Sequence, residues 1–457
     1  MAIRPDYPYA RGDLLLMKMH AGDWRDLARE RSALDEGVRA QKRVVQPYVY
    51  QGLSSSPADL LTCTKIFAQD KYPPFSSPQQ RGRRDGKIRL GYLCGEFCAQ
   101  ATMHLAAGLF EHHDRARFEV TGFDNSLEDG SPMRRRVSAA FDKFVPIQGI
   151  SDREAAHLIA GDEIDILVNL NGYFGTARMG VFAHRPALLQ VNYLGFPGSL
   201  GAQYMDYILA DAEVIPTGEE QFYSEKVVLL PDSYQINDGM RPRPAPSTRA
   251  AHGLRETDFV FCHFNYPYKI MPDMFALWLR LLKNVPSSVL WLLEGNPLFA
   301  ANMRRETTRA GVDPARLVFA PPIAYSAHVS RLALGDLFLD SLPYNAHTTA
   351  SDALWAGLPL ITCRGDAFAG RVAASLLRAV GLPDLITDKL NDYESLALKL
   401  ANETVLLQSY RDRLTRDPVG LPLFDTVRTT RQIEIAYEGM MARWLKGAMP
   451  AGFAVHG

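Results

Sequence analysis

The hydrophobic and polar positions follow different periods in different parts of the chain. Between residues 10 and 70 apolar side chains recur at helical spacing, without runs that read as strands. From Lys87 onward short β-rich runs alternate with helical stretches, first to about residue 240 and again from about residue 255. The segment from about 389 to 447 is helical again. This pattern predicts a small helical unit followed by two α/β halves.

The β-rich runs predict a parallel sheet in each half. They are KIRLGYLCG, FEVTGFD, IDILVNL, LLQVNYLG, MDYILAD and KVVLLP in the first half, and FVFCHFN, SVLWLLE, RLVFAPP, LFLDSLP, PLITC and LITD in the second. Several are apolar throughout, which is typical of strands that helices cover on both faces. The predicted fold class is therefore α/β, with two Rossmann-like, doubly wound halves. Such halves bind a ligand in the cleft between them, at the carboxyl ends of the strands.

Proline-rich and polar stretches set the predicted domain boundaries. The predicted parts are a helical unit at 1–75, a linker at 76–86, a first half at 87–240, a linker at 241–254 and a second half at 255–440, with C-terminal helices to 457.

Composition and charge exclude several classes of protein. Fifty basic residues against 51 acidic ones give a net charge of −1, so no global field draws the chain to nucleic acid or to a membrane. The basic run Arg81–Lys87 is either a solvated linker or a phosphate or nucleic-acid contact. Five scattered cysteines without zinc-site spacing predict reduced thiols and no structural metal. The N-terminus lacks an apolar signal core, and no run approaches the roughly 20 apolar residues of a membrane span, so the predicted location is cytoplasmic.

The stretch PYNAHTTASDALWAG, residues 343–357, carries the strongest chemical signal. It follows a predicted strand and enters a short helix. Thr349 and Asp352 have the spacing of a capping box, in which two side chains satisfy the free N–H groups of the helix. The mouth of a helix at the end of a parallel strand also attracts phosphate. The pattern leaves both interpretations open.

Other polar residues also follow predicted strands, and each has a second interpretation. Lys269 could meet a diphosphate or be an exposed lysine. His328 and Arg331, three residues apart on one helix face, could bind a base or face solvent. His104 could belong to a site or be a satisfied core histidine.

Two glycine-rich stretches, LNGYFGTARMG and YLGFPGSLGAQ, also follow predicted strands. Glycine there permits close approach of the backbone to a ligand, or simply makes a turn. Neither matches GxGxxG, and the chain has no GxxxxGK[ST]. The sequence therefore argues against a nicotinamide cofactor and against a P-loop.

Taken in order, several segments resemble the catalytic region of O-GlcNAc transferase and its bacterial SPINDLY-like relatives. They include KIRLGYLCGEFCAQATMHL, DILVNLNGYFGTAR, RPALLQVNYLGFPGSLGAQYMDYILAD, HFNYPYKIMPDMFALWLRLLKNVPSSVLWLL and NAHTTASDALWAGLPLIT, within residues 87 to 440. No 34-residue period of tetratricopeptide repeats is visible. The resemblance implies a GT-B fold, a UDP-sugar donor, inversion at the sugar, no metal or other cofactor, and a protein acceptor.

The resemblance also implies roles for individual residues. The UDP-sugar would contact Asn265, Tyr266, Ala324, His328, Arg331, Tyr344, His347, Thr348, Thr349 and Asp352. In this set His347 and the two threonines would hold the β-phosphate, Asp352 the ribose, and His328, Arg331 and the backbone of Ala324 the uracil. Lys269 would neutralise the departing diphosphate, and His104 matches a histidine proposed as general base. The acceptor side would be lined by Gly195, Phe196, Pro197 and Gly198.

Three positions depart from the family pattern. Ser326 stands where the family has a second lysine near the nucleotide, Tyr266 where it has glutamine, and Tyr344 where it has a cysteine near the N-acetyl group of the donor. The bulk of Tyr344 could exclude an acetamido group and favour glucose, or the ring could rotate away, so the predicted donor is UDP-GlcNAc or UDP-glucose. The leading hypothesis is transfer to a protein Ser or Thr hydroxyl. The alternatives are an asparagine N-glucosyltransferase and a nucleotide-sugar-binding regulator without turnover.

Overall fold

The structure, a computed structural model, describes residues 7–75 and 86–456. Residues 76–85, which hold most of the predicted linker and of the basic run Arg81–Lys87, lie outside the described residues. The strands are β1 (Ile88–Cys94), β2 (Phe118–Asp124), β3 (Lys143–Pro146), β4 (Ile166–Asn169), β5 (Leu189–Asn192), β6 (Tyr207–Asp211), β7 (Lys226–Leu230), β8 (Phe259–His263), β9 (Ser288–Leu293), β10 (Leu317–Ala320), β11 (Leu337–Leu339), β12 (Leu360–Cys363), β13 (Ile386–Thr387) and β14 (Phe453–Ala454).

Helices connect and cover these strands. They are α1 (Ala10–His20), α2 (Leu27–Arg39), α3 (Pro47–Gln51), α4 (Pro57–Lys71), α5 (Ala101–His112), α6 (Pro132–Ala139), α7 (Asp152–Gly161), α8 (Met179–Ala183), α9 (Pro272–Asn284), α10 (Pro297–Arg309), α11 (Tyr325–Leu332), α12 (Thr348–Trp355), α13 (Val372–Ala379), α14 (Leu390–Asn402), α15 (Thr404–Arg416) and α16 (Thr426–Leu445).

The chain forms two compact units, each built on one sheet. The eight-stranded unit comprises residues 41–48, 57–75, 86–240 and 422–456. Its strand order is β14-β7-β6-β5-β4-β1-β2-β3, and neighbouring strands run parallel. The chain leaves β1 for β2 on one side and later returns to β4 on the other side. In such a sheet the point where the order reverses is the expected ligand crevice.

The six-stranded unit comprises residues 7–40, 49–56 and 241–421. Its strand order is β10-β9-β8-β11-β12-β13, again with parallel neighbours. Here β8 pairs with β9 on one side and β11 on the other, so the order reverses at β8. The loops that follow β8 and β11 therefore begin at one place on the sheet edge. Those loops carry Lys269 and the stretch 343–347.

The α/β prediction is confirmed, and each predicted run contains a strand. Two strands were not predicted, β3 and β14, and both lie at the edges of the eight-stranded sheet. The burial of β3 is only partial, with Lys143 and Pro146 exposed, and β14 has two residues. Short edge strands with one solvated side lack the apolar run that reveals a central strand.

The structure departs from the predicted boundary of the N-terminal helical unit. Helices α1 and α2 belong to the six-stranded unit, where Asn302 Nδ2 donates to the Ala21 carbonyl at 2.7 Å. The ring of Trp24 lies 5.6 Å from that of Phe275. Helix α4 belongs to the eight-stranded unit, where a Cβ at Gly201 would lie 2.5 Å from the backbone nitrogen of Lys65. Helical spacing identifies the buried face of a helix but not the sheet that covers it.

The C-terminal helix also departs from its predicted domain. Helix α16 and strand β14 belong to the eight-stranded unit, not to the second half. The Tyr437 hydroxyl lies 3.2 Å from the Tyr92 hydroxyl, and both side chains are buried. Glu434 Oε1 accepts from the Asp114 N–H at 2.7 Å and lies 3.0 Å from His113 Nδ1. Burial alone would raise the pKa of Glu434, but the hydrogen bonds lower it to about 2.

The five cysteines, all within the described residues, are unpaired and buried. Across residues 7–75 and 86–456 we find no helix of the length and apolar character needed to cross a bilayer.

The buried carboxylate of Glu434 generates a stability prediction. Glu434→Ala leaves the His113 ring and the Asp114 N–H without their acceptor, so we expect the free energy of unfolding of this unit to fall by roughly 2–4 kcal/mol. Chemical denaturation followed by fluorescence measures the change. The matched control is Glu438→Ala, one turn further along α16, which removes a half-exposed ion pair with Arg117. We expect that change to stay below about 1 kcal/mol. Equal losses in the two variants would contradict the proposed importance of the Glu434 contacts.

Candidate active site

Lys269 is the central charge of the six-stranded unit. It ends a short turn, Pro267–Lys269, that follows β8, and its side chain is buried. Its Nζ donates to the backbone carbonyl of Asn345 at 2.8 Å and lies 3.9 Å from the centre of the Tyr344 ring. Burial lowers the pKa of Lys269 to about 7, against the opposing attraction of the Asp340 carboxylate. A buried ammonium with a single hydrogen-bond acceptor is poorly compensated in the free protein.

Asp340 and Asn345 build the floor under this lysine, and the sequence analysis missed both. Asp340 follows β11, is buried, and accepts from the Ala346 N–H at 2.6 Å and the Thr362 hydroxyl at 2.7 Å. Asn345 is fully buried and donates through Nδ2 to the Ser341 carbonyl at 2.9 Å. These bonds fix the loop whose carbonyl holds Lys269. The signal in the sequence that could have identified Asp340 and Asn345 was a polar residue in an otherwise apolar stretch just before a predicted helix start.

The predicted capping box at α12 is wrong. The N-cap residue is His347, and no side chain caps the helix. The Thr349 hydroxyl instead donates to Asn265 Oδ1 at 2.6 Å. The carboxylate of Asp352 accepts at Oδ1 from Tyr325 at 2.8 Å and from Arg241 at 3.2 Å. Both side chains of the expected box thus bond to residues distant in sequence, which offer better geometry than the helix mouth.

Several hydrogen-bond donors in the segments that follow β8 and β11 lack an acceptor. Among the residues that the structure describes, none accepts from the backbone N–H groups of Thr348 and Thr349 at the mouth of α12. Asn265 is buried, and its Nδ2 has no partner in the described part of the chain. Because Thr349 fixes Oδ1 as the acceptor, Nδ2 is the free donor. One buried and two half-buried donors without acceptors, in the segments that also carry a buried ammonium, are suited to bind an anion.

His347, the N-cap residue of α12, has a side chain fixed by two neighbours, and its contact with the β-phosphate stays a prediction. Its Nε2 lies 3.1 Å from the carbonyl of Ala369, which can only accept, so Nε2 carries the proton. Burial and the neighbouring Lys269 hold the pKa of His347 well below its usual value, so the ring is neutral and Nδ1 has a lone pair. The ring stacks on Tyr344 at 4.7 Å and 26°. The ring in this tautomer has no second N–H for a phosphate oxygen.

Helix α11 brings His328 and Arg331 together at the carboxyl end of β10. Arg331 is buried and does not face solvent. Its Nε donates to His328 Nδ1 at 3.0 Å, and its Nη1 donates to the Pro321 carbonyl at 2.6 Å. The guanidinium therefore fixes the tautomer of His328 in which Nε2 is the donor. Burial and Arg331 lower the pKa of His328 to about 4, so the ring is neutral at pH 7.

Three further predicted contacts lie in the same unit. Ala324 is the exposed N-cap residue of α11, and its carbonyl accepts from the His328 N–H at 2.9 Å. Tyr266 is 63% exposed, and its ring lies 6.4 Å from that of His20 on α1. Tyr344 is buried between Lys269 and His347. A side chain packed on both faces has little freedom to rotate.

The remaining predicted residues lie in the eight-stranded unit. His104 is half-buried on α5, so it is not a fully enclosed core histidine. The turn Gly195–Gly198 follows β5, and Asn192 Nδ2 donates to the Gly198 carbonyl at 3.0 Å. A Cβ at Gly195 would lie 2.0 Å from the Leu170 carbonyl, so the close approach requires glycine. In this turn Phe196 is buried and Pro197 follows it. The catalytic and acceptor roles of these residues stay predictions.

Within the described ranges, no group of three or more His, Cys, Asp or Glu residues is arranged to hold a metal ion.

Known proteins match the chain over most of its length. The family described as Glycosyl transferase family 41 matches residues 54–245 and 242–433. The probable UDP-N-acetylglucosamine–peptide N-acetylglucosaminyltransferase SEC of Arabidopsis thaliana is 36% identical over 405 residues, which cover 86% of this chain and 41% of that protein. The UDP-N-acetylglucosamine–peptide N-acetylglucosaminyltransferase of Caenorhabditis elegans is 28% identical, with coverage of 80% and 42%. The chain thus spans about two fifths of these relatives.

Two solved structures are also similar to the chain. A mutant of the Thermobaculum terrenum O-GlcNAc transferase is 27% identical and superposes with a TM-score of 0.81, over 94% of this chain and 83% of that one. Anabaena Alr3699/HepE, solved in complex with UDP and glucose, is 14% identical with a TM-score of 0.54, over 77% of this chain and 100% of that one. The second likeness concerns the fold alone.

The pKa of Lys269 generates a prediction for nucleotide binding. Because that pKa is about 7 in the free protein, the ammonium is charged below pH 7 and loses its charge above it. A bound diphosphate favours the charged form, so binding of UDP at pH 8 should take up about one proton. Calorimetry in buffers of different ionisation enthalpy measures this uptake. Lys269→Met should remove it, and Lys283→Met, which changes an exposed lysine on α9, should not. Absence of proton uptake in the unmodified protein would contradict the assignment.

Proposed function

Because the chain belongs to Glycosyl transferase family 41, we propose that it transfers a hexose from a UDP-sugar to a Ser or Thr hydroxyl of a protein. The chain has the two-sheet α/β fold of GT-B glycosyltransferases. One observation carries the proposal, the convergence of unsatisfied donors around a buried lysine. The donors without a partner in the described residues are Asn265 Nδ2 and the N–H groups of Thr348 and Thr349, while the Lys269 ammonium has the Asn345 carbonyl as its one hydrogen-bond acceptor. A diphosphate supplies the acceptor oxygens and the negative charge that this set lacks.

In the proposed reaction the acceptor oxygen attacks C1 of the sugar as the bond from C1 to the phosphate oxygen breaks. The electron pair of that bond leaves with UDP, and a single displacement inverts C1. Negative charge develops on the departing diphosphate, where Lys269 and the amide donors stabilise it. We propose that no metal ion takes part, since these groups supply the positive potential. Turnover unaffected by a chelator would agree with this.

The nucleoside is proposed to occupy the carboxyl ends of β10 and β11. Arg331 donates to Nδ1 of His328, so the ring proton of His328 is on Nε2. That N–H is suited to donate to a carbonyl oxygen of uracil. The bonds from Arg241 and Tyr325 both reach Oδ1 of Asp352. This leaves Oδ2 to accept from the ribose hydroxyls. Arg331 thus acts by positioning His328, which refines the direct contact predicted from the sequence.

Tyr344 is proposed to select the donor sugar. By the family resemblance, this position would lie beside the 2-substituent of the sugar. The ring is buried, stacks on His347, lies under Lys269 and is 6.2 Å from the ring of Tyr268. Because these neighbours restrict rotation of the ring, it continues to fill its part of the site. The filled space excludes the N-acetyl group of UDP-GlcNAc and therefore favours UDP-glucose. The same observation supports the alternative acceptor, an asparagine side chain, as in an N-glucosyltransferase.

A protein acceptor is proposed from the printed names of the curated relatives, which are peptide transferases. Nucleic acid is not a proposed partner, given the balanced charge of the chain. Location in the cytoplasm stays a proposal, supported by five unpaired, buried thiols.

A donor panel tests the proposed function. Purified protein is incubated with a cell lysate and labelled UDP-GlcNAc, UDP-glucose or UDP-galactose, and mass spectrometry identifies the modified residue. We expect label on Ser or Thr, and Lys269→Ala should lower turnover by on the order of 10² or more because the departing charge is no longer stabilised. Label on asparagine would establish the alternative acceptor. Binding of UDP without consumption of any donor would indicate a regulator and overturn the proposal.

Variants of Tyr344 test the donor choice separately. Tyr344→Cys removes the ring volume, so we expect the ratio of kcat/KM for UDP-GlcNAc over that for UDP-glucose to rise by roughly 10-fold or more. Tyr344→Phe keeps the ring and serves as the control, with an unchanged ratio. A ratio that does not move in Tyr344→Cys would show that this ring does not read the 2-substituent.

A further inference from the structure

The segment 241–245, which we call the strap, packs on the two helices that carry the proposed nucleoside contacts. Composition predicted a linker here, but the structure assigns these residues to the six-stranded unit. Their contacts reach both α11 and α12. The side chain of Arg241 at the start of the strap is buried, which is unusual for a residue that only joins two domains.

The strap is bound to α12 through Trp355, the buried last residue of that helix. Trp355 Nε1 donates to the Pro242 carbonyl at 2.9 Å. The guanidinium carbon of Arg243 lies 4.0 Å from the centre of the Trp355 ring, and that of Arg241 lies 5.9 Å from it. The indole therefore fixes both the backbone and the side chains of the strap beside the last turn of α12.

A further contact joins the strap to α11. The Ala245 N–H donates to Ser330 Oγ at 3.0 Å, and the Ser330 hydroxyl donates to the Ser326 carbonyl, one turn earlier, at 2.9 Å. Tyr325, the first residue of α11, donates to the carboxylate of Asp352 on α12. The two helices are thus joined by the strap and by the Asp352 carboxylate.

Arg241 meets Asp352 where these contacts come together. Its Nη1 lies 3.2 Å from Asp352 Oδ1, and the two side chains are 1% and 5% exposed. The Tyr325 hydroxyl reaches the same oxygen at 2.8 Å. Within residues 7–75 and 86–456 no group donates to Oδ2. One oxygen of the carboxylate is therefore held by two donors, and the other keeps its lone pairs for a ligand.

The charge of Asp352 depends on Arg241. A carboxylate removed from water stays ionised only beside a compensating charge. Burial raises the pKa of Asp352, and the attraction of Arg241 and the hydrogen bond from Tyr325 oppose that rise. In the described part of the chain, Arg241 is the cation that faces this carboxylate. An ionised carboxylate accepts a stronger hydrogen bond from a hydroxyl than a neutral acid does.

We propose that Arg241 is a positioning residue that prepares Asp352 to bind the ribose hydroxyls, and that the strap holds Arg241 in place. This inference rests on the proposed function, in which Asp352 Oδ2 accepts from the ribose. Arg241 does not contact the nucleotide in this role. It occupies Oδ1, keeps the carboxylate ionised and so leaves a charged Oδ2 for the hydroxyls. The strap is thus part of nucleotide selection.

Binding of two nucleotides to the full chain tests this role. Calorimetry gives the dissociation constants of UDP and of dideoxy-UDP, which lacks both ribose hydroxyls. We expect the unmodified protein to bind UDP about 10–100-fold more tightly, as for a hydrogen bond to a charged group. In Arg241→Met this preference should fall by about 10-fold, because Asp352 then takes up a proton and Oδ1 loses a donor. Affinity for dideoxy-UDP should stay close to that of the unmodified protein.

The nucleotide preference separates positioning from general support of the fold. Equal weakening of UDP and dideoxy-UDP in Arg241→Met is the result expected of a structural role, and it would overturn the proposal. Arg243→Met is the matched control within the strap. It removes an exposed guanidinium from the Trp355 ring but leaves Asp352 its countercharge, so the preference for UDP should be unchanged.

A second background provides the test if Arg241→Met alone does not fold. In Asp352→Asn the preference for UDP should already be low, and the added Arg241→Met removes a buried cation that has lost its partner. If Arg241 acts through Asp352, this second replacement should change the affinity for neither nucleotide. A further loss of affinity for UDP would show that Arg241 acts independently of Asp352 and would overturn the positioning role.

The outcomes distinguish the two levels of inference. Failure of the unmodified protein to bind UDP overturns the proposed function. Binding of UDP together with an undiminished preference in Arg241→Met overturns the role of Arg241 alone. Equal affinity of the unmodified protein for UDP and dideoxy-UDP would show that Asp352 does not bind the ribose, and it would overturn the inference as well.

Discussion

The six-stranded unit is organised by one electrostatic constraint, a lysine ammonium removed from water with a single carbonyl to hold it. Three neighbours hold Lys269 in that position. The Asn345 carbonyl accepts its hydrogen bond, the Asp340 carboxylate attracts its charge, and the face of the Tyr344 ring lies against the ammonium. The mouth of α12 and the amide of Asn265 add donors without acceptors. An arrangement of this kind is costly in the free protein, and a bound anion relieves the cost. Strain of this sort persists where function requires it.

Much of the fold could be predicted because it depends on local patterns. Apolar runs and helical spacing identified the strands and their parallel class, and the carboxyl ends of the strands then located Lys269, His328 and the stretch 343–357. The partners of these residues could not be predicted, because the contacts span long distances in sequence. The Thr349 hydroxyl looked like a helix cap, yet it bonds to Asn265, 84 residues away. Asp352 bonds to Arg241, within a segment that read only as a linker.

Both ends of the chain show the same limit at the level of whole helices. The buried faces of α1, α2, α4 and α16 follow from amphipathic spacing, but the choice of sheet depends on shape. Gly201 leaves space for the backbone of α4, and α16 places Glu434 against His113. Such complementarity depends on the shapes of the packed surfaces, which form only in the folded protein. The domain boundaries predicted from composition therefore differ from the boundaries of the two compact units in the structure.

The position of α1 has a consequence for how the lysine could be tuned. His20, at the end of α1, packs 5.3 Å from the ring of Tyr268, the residue next to Lys269. Movement of α1 away from that turn would admit water beside the ammonium and return its proton affinity toward that of a free amine. The affinity for a nucleotide would then depend on the position of α1. Displacement of α1 would thus change the fraction of Lys269 that carries a charge at neutral pH.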